Sequence, residues 1–192
     1  MASALSTLLV FAHQDEASAF TDLPHLVTGV GKVNAAVELA FALHQAAVSG
    51  NPYQRVIVLG TAGIVGREHD LDTVVQITRA VQHDFPLPSP EVAITNSPKW
   101  EATAAIATGD EFVSTDEKRR EIVSLGASLC DMEIYAYARI TDRFGVPLEV
   151  YKVPSDFADE AAVAEWDEVV FLKSQQLRKF YDEKLSAAAS EK

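Results

Sequence analysis

Two compact acidic signals, Asp131-Met132-Glu133 and Ser155-Asp156-Phe157-Ala158-Asp159, stand close together in the last third of the chain. Carboxyl groups can give or take a proton and accept hydrogen bonds from a ligand, so carboxylates gathered at one place suit acid and base chemistry. The residues between the two signals indicate how they would be gathered. Glu133 opens a run in which Ile134, Ala138 and Ile140 recur at helical spacing; Gly145 stops it, and Pro147 follows as such stops require. Leu148 to Val153 alternates apolar and polar side chains in a β-branched-rich segment, so it reads as a strand whose carboxyl end delivers Ser155 and Asp156. In open α/β sheets that edge is where ligands bind. Taken singly, each residue also has a plain structural role. Asp156 suits the N-cap of a following helix, which Ser155 or Asp159 could also supply. Glu133 suits the first turn of a helix, and Met132 suits a core.

The elements that would position these residues can be read in order. Leu8 to Ala12 is a short apolar strand running into His13-Gln14-Asp15-Glu16, and Leu26 to Thr28 is the next. Gly29-Val30-Gly31 leads into a helix whose apolar face is Val33, Val37, Ala40, Phe41 and Ala47, ending near Gly50. Val33 stands where a phosphate-binding P-loop needs Ser or Thr, and Asn34 breaks the dinucleotide fingerprint, so the glycines read as a tight turn. Arg55 to Leu59 is a central strand, followed by a turn, Gly60-Thr61-Ala62-Gly63, small enough for a ligand to approach the backbone. Asp72 to Thr78 is strand-like, and the proline-rich stretch from Phe85 to Pro98 is a surface excursion with a short edge strand around Val92-Ala93-Ile94. Ala104 to Ala107 is another strand, and Thr115 to Leu125 a charged helix capped by Ser114 or Thr115. From Ala161 the positions Val163, Trp166, Val170, Leu177, Tyr181 and Leu185 mark a long amphipathic helix, and the SAAASEK tail is expected to fray. Strands alternating with helices predict one domain over residues 1–192, three α/β/α layers around a central mixed, mostly parallel sheet.

Composition narrows the partners. Sixteen Lys and Arg against 28 Asp and Glu give a net charge of −12. A chain this acidic repels phosphate backbones and anionic headgroups, so neither nucleic acid nor a membrane surface is expected as a partner. The lone Cys130 cannot form an internal disulfide and reads as core, and no apolar run is long enough to span a bilayer. The apolar residues near the start fit a first core strand better than a signal peptide, and a soluble cytoplasmic protein is expected. The five histidines show no metal-ligand spacing, so neither a metal site nor a cofactor is predicted.

The pieces DMEIYAYA and VPSDFAD resemble the paired "MEA" and "SD-x-AD" signatures of the nucleoside phosphorylase/nucleosidase superfamily, in particular the methylthioadenosine/S-adenosylhomocysteine nucleosidases. Three further stretches resemble that family in the same order: TGVGKVNAA from Thr28, VIVLGTAG from Val56 and TGDEFV from Thr108. Cleaving a purine from ribose needs an acid for the departing base, groups that orient the sugar as positive charge builds, and a nucleophile for the anomeric carbon. The resemblance implies that Asp156 protonates a ring nitrogen of the purine, which requires a partly protonated carboxyl in a dry pocket. It implies that Glu133 accepts hydrogen bonds from the ribose diol, that Met132 lies against the ribose and that Phe112 stacks on the base, although Phe112 also suits a core. Val30, Thr61, Ala62, Gly63, Val113, Asp131 and Ser155 would complete the nucleoside site. The resemblance further implies a homodimer with the residues near His83 close to the partner.

The match has departures. Asp131 stands where the nucleosidases usually have Glu, Lys152 where they often have Arg, and the interval from Glu16 to Thr28 is too short for the hairpin the family normally carries there. Hydrolysis is preferred over phosphorolysis. A phosphorylase must hold a multiply charged anion, normally with arginines. Val58 stands where bacterial phosphorylases of the superfamily carry an arginine, their Gly-Asp-Pro-x-Arg segment has no counterpart, and HQDE aligns Glu16 with the water-activating glutamate of the nucleosidases. Glu16 would otherwise be an exposed loop acid. A phosphorylase, a futalosine hydrolase of the same fold and a non-catalytic nucleoside-binding protein remain as alternatives.

Overall fold

The strands of the central sheet bury both faces, and their sequences follow from that. In the computed structural model, which describes residues 6–95, 97–159 and 162–186, β1 (Thr7–Phe11) and β3 (Arg55–Ile64) are parallel neighbours. Leu8 and Val10 of β1 and Val56 and Val58 of β3 enter one core, while Leu9, Phe11, Ile57 and Leu59 enter a second on the opposite face. A strand covered on both sides reads as a continuous apolar run, as these two do. Each such side chain contributes roughly 1.5–3 kcal/mol by leaving water.

The remaining strands are β2 (His25–Val27), β4 (Val75–Gln82), β5 (Val92–Ala93), β6 (Thr103–Thr108), β7 (Leu129–Asp131) and β8 (Leu148–Asp156). β2 extends the sheet beyond β1, and β5 pairs antiparallel with β4. The other five close on themselves: β3 pairs with β8, β8 with β4, β4 with β6, β6 with β7, and β7 returns to β3. Among the described residues five of the eight pairings are parallel, giving the mixed, mostly parallel sheet. Helices α1 (Lys32–Val48) and α3 (Ile134–Phe144) share the first core. Helix α4 (Ala162–Phe180), continued by a π turn Tyr181–Leu185, covers the second with Leu177, Phe180 and Leu185. Helix α2 (Asp116–Ser124) closes a smaller third cluster through Ile122. Its N-cap is Thr115, whose hydroxyl accepts from Lys118 N, and α3 ends at Gly145 with the left-handed φ of 67° that the sequence signals.

Several expectations are corrected. The face expected for α1 points outward: Val33, Val37 and Phe41 are 71%, 58% and 60% exposed, and the helix buries Ala35, Leu39 and Leu43 instead. A helix apolar around most of its girth has no single stripe for periodicity to find. The Gly60 to Gly63 segment is strand, not turn, because β8 runs beside it, in register as far as Ala62 opposite Pro154 and, after a one-residue shift, with Gly63 opposite Asp156. For the same reason Ser155 and Asp156 close β8 instead of following it. β4 starts and ends later than expected, and the three-residue β7 is too short to announce itself. The predicted frayed tail lies, apart from Ser186, outside the described residues.

Candidate active site

A cavity of ≈ 330 Å³ opens where the chain leaves β1, β2, β6, β7 and β8, against the second half of β3. Every residue singled out from the sequence lines it: Glu16, Val30, Thr61, Ala62, Gly63, Phe112, Val113, Asp131, Met132, Glu133, Ser155 and Asp156. Ala12, His13, Glu111, Cys130, Ala158 and Trp166 complete the wall. His13, Glu111 and Ala158 belong to the quoted motifs, whereas Cys130 and Trp166 read as core.

Glu16 is buried and held by four donors. Its Oε1 accepts from the Thr61 backbone N (2.6 Å) and hydroxyl (2.8 Å), and its Oε2 from the backbone N of Ala12 and of His13, both at 3.2 Å. Gly60 makes this approach possible, since a Cβ there would sit 2.9 Å from Glu16 Oε1. Gly63 does the same for the second acid, since its Cβ would meet Asp156 Oδ1 and Cys130 Sγ at 3.1 Å. The two glycines of the GTAG segment thus serve the two carboxylates on either side of the strand end.

Asp156 is 5% exposed; Ser155 Oγ donates to its Oδ2 (2.7 Å) and Ala158 N to its Oδ1 (2.8 Å). That turn forces Ala158 to φ 50°, a left-handed conformation costing an L-residue about 1 kcal/mol. Asp156 lies too far ahead of α4 to cap it, which removes that structural role. Burial drives the Cys130 thiol's pKa up, with the charges of Asp156 and Asp131 adding to it, so it stays a neutral wall.

Asp131 and Glu133 divide their work in a way the sequence does not reveal. Asp131 Oδ2 accepts from Ile134 N at 3.0 Å and so caps α3, Oδ1 accepts from the Thr108 hydroxyl at 2.6 Å, and the carboxylate pairs with buried Lys152 at 3.3 Å. Asp131 lines the cavity while its oxygens also serve the protein. Two of the three departures from the nucleosidase pattern, Asp131 and Lys152, are the two ends of one buried ion pair. Burial works against the Lys152 ammonium, yet the charges of Asp131, Glu16 and Glu133 hold its pKa above the ordinary value. With the cap supplied by Asp131, Glu133 makes no side-chain cap of its own and instead accepts from Gly31 N, at the start of α1, at 2.9 Å. Phe112 is 45% exposed at the mouth, so it is not a core aromatic.

Burial first, and then the Asp131 charge, push the Glu133 pKa up to about 8, with Lys152 opposing. The native protein therefore holds this proton more tightly than the unfolded chain does. Stability attributable to Glu133 falls as pH rises from the ordinary carboxylate range towards about 8. Glu133→Gln removes that cost, so its melting temperature is expected to exceed wild type by roughly 3–10 °C at pH 8 and to match it near pH 4.5. Calorimetry across that range checks the sign: a variant less stable than wild type at pH 8 contradicts it.

The closed strand ring and the cavity at its rim define a nucleoside phosphorylase-type α/β protein. The chain belongs to the nucleoside phosphorylase/nucleosidase superfamily. It is 30% identical to an aminodeoxyfutalosine nucleosidase of Helicobacter pylori strain J99, the match covering 66% of each chain, so it spans just under two thirds of that relative's length. In structure it resembles the methylthioadenosine/S-adenosylhomocysteine nucleosidase of Neisseria meningitidis bound to methylthio-immucillin-A (TM-score 0.81, 22% identity, 95% of this chain and 100% of that one). It also resembles a futalosine hydrolase mutant of Helicobacter pylori (TM-score 0.79, 21% identity, 92% and 96% covered). No protein-family profile matches the chain.

Proposed function

We propose that this chain is a purine nucleosidase that hydrolyses the N-glycosidic bond of a 5′-substituted purine nucleoside of the methylthioadenosine/S-adenosylhomocysteine type. In this reading Glu16 takes a proton from water through Oε2, which among the described residues accepts the two 3.2 Å bonds alone. The water oxygen bonds to the anomeric carbon, the glycosidic electron pair leaves with the purine, and Asp156 protonates that base. Glu133 accepts from the ribose diol, with Met132 against the sugar and Phe112 and Val113 beside the base. The carrying observation is that Glu16, Glu133 and Asp156 line one cavity, with Gly60 and Gly63 opening room for two of them. A second reading, with an aminodeoxyfutalosine-type substrate, is favoured by the name of the Helicobacter relative. A screen for base release from methylthioadenosine, S-adenosylhomocysteine, aminodeoxyfutalosine and unsubstituted adenosine and inosine decides between them. Cleavage of a 5′-substituted nucleoside is expected, and release from none would overturn the proposal.

The reading includes a cytoplasmic homodimer. Among the described residues no helix is long and apolar enough to cross a membrane, and the single cysteine fits a reducing compartment. The dimer is supported by the outward face of α1, where Val33, Val37 and Phe41 leave an apolar row beside Val30 at the cavity mouth. His83 itself is buried, so Phe85 and Leu87, exposed after it, are the residues of that region available to a second copy. Sedimentation at micromolar concentration is expected to give twice the 20.9 kDa chain mass, and Val37→Asp with Phe41→Asp to give the single mass. A monomeric wild type would contradict this.

A further inference from the structure

We propose that α4 is the element that holds Glu16 in its working pose, with Ser174 and Trp166 as positioning residues; this rests on the reading of Glu16 as the base. Glu16 sits in the short segment that follows β1, where the chain has too few residues for a supporting hairpin. One face of α4 supplies the support. Ser174, 1% exposed in the middle of an apolar face, donates its hydroxyl to the Glu16 backbone carbonyl (2.7 Å) and accepts from Ala19 N (3.0 Å). A buried hydroxyl at such a place is costly unless both its roles are filled, and here both partners lie on the Glu16 segment. One turn later, Arg178 donates to the Ala19 carbonyl (3.0 Å) and forks onto Asp22, and fully buried Phe20 packs its ring on Phe11 and Tyr181. The backbone carrying Glu16 is thus fastened to α4 at successive turns.

The start of the same helix acts on the side chain. Trp166 Nε1 donates to Thr61 Oγ1 at 2.9 Å, and its ring stands edge-on to His13 at 5.2 Å. An indole N–H can only donate, so the Thr61 oxygen receives, and the single Thr61 proton is left to point at Glu16 Oε1, 2.8 Å away. Trp166 therefore fixes the direction of one of the four donors on the carboxylate, acting through Thr61. This arrangement requires tryptophan at position 166; phenylalanine would keep the ring and lose the donor.

The experiment is a double-mutant cycle. Ser174→Ala and Trp166→Phe are each made in wild type and in Glu16→Gln, and assayed on methylthioadenosine or whichever nucleoside is cleaved fastest in the screen above. Each substitution is expected to lower kcat about 10-fold in wild type with KM nearly unchanged, the size of a lost hydrogen bond in a charged network. In the Glu16→Gln background neither is expected to lower the residual rate further, because groups acting through one residue do not add. The same fold-loss in both backgrounds, or an effect on KM alone, would overturn the positioning role and leave the reading of Glu16 intact. A Glu16→Gln enzyme with wild-type kcat would instead overturn the base assignment, and the positioning role with it. Trp166→Phe, which keeps the ring, gives the answer if Ser174→Ala fails to fold.

Discussion

Asp156→Asn is expected to lower kcat by about 1,000-fold while changing KM only a few-fold, the scale of losing a positioned acid. A purine departs with the glycosidic electron pair, and without a proton on its ring it is a poor leaving group. The carboxyl of Asp156 closes β8 at the wall of the cavity, oriented by the Ser155 hydroxyl and the Ala158 backbone N. Asparagine preserves that frame: its carbonyl can accept from Ala158 N, and its amide can face the Ser155 oxygen and still hydrogen-bond the base. Binding therefore survives and only the proton is lost, which separates transition-state from ground-state interactions. Steady-state kinetics on the purified variant checks this, and near-normal kcat would remove Asp156 from the acid role.

The second large effect is expected at Glu16. All four hydrogen bonds to its carboxylate come from donors that cannot become acceptors in place, apart from the Thr61 hydroxyl. In Glu16→Gln one oxygen becomes an NH₂ group, which must face either the Ala12 and His13 amides or Thr61. The pair at 3.2 Å is the looser one, so the amide nitrogen settles there, at the position assigned to the base. The substitution thus removes the proton acceptor and places donors against donors. We expect kcat to fall by at least about 1,000-fold, within the range for loss of a general base compounded by misplacement, with melting temperature lowered as a separate readout. A variant that keeps more than about a tenth of wild-type kcat would show that water is activated elsewhere.

How far these sites were legible in the sequence differs from residue to residue. Strands whose two faces both meet helices, such as β1 and β3, are apolar without interruption and were readable as such. Local punctuation was readable too: Thr115 caps α2 and Gly145 ends α3. Most of the cavity residues are readable because five short motifs and the HQDE segment carry them, although no motif states which carboxylate touches a ligand. The division between Asp131, spent on Lys152, Thr108 and the α3 cap, and Glu133, turned to Gly31, depends on side-chain directions set by the tertiary fold. The sequence points to the wrong α1 face because Val and Phe outrank Ala in hydrophobicity, while the close packing of α1 against α3 and the sheet selects the row containing Ala35. The GTAG segment reads as a turn because of its glycines, whereas in the fold they thin a continuing strand to admit Glu16 and Asp156. Trp166 reads as core because an amphipathic pattern cannot show that its N–H reaches Thr61.

The central claim is that water, not phosphate, attacks the sugar. Val58, where an arginine would stand in bacterial phosphorylases of the superfamily, is a buried core residue of β3. Among the described residues no lysine or arginine lines the cavity, which instead carries Glu16, Glu111, Asp131, Glu133 and Asp156. Lys152 balances the Asp131 charge, burial favours the protonated form of Glu133 and Asp156 serves as the acid, so Glu16 and Glu111 are the carboxylates left to repel a multiply charged anion, and Glu16 suits a base that draws a proton from water. The most direct measurement is to run the cleavage with and without inorganic phosphate and identify the sugar product. The account predicts the free reducing sugar at a rate indifferent to phosphate; a sugar 1-phosphate, or a rate that requires phosphate, would contradict it.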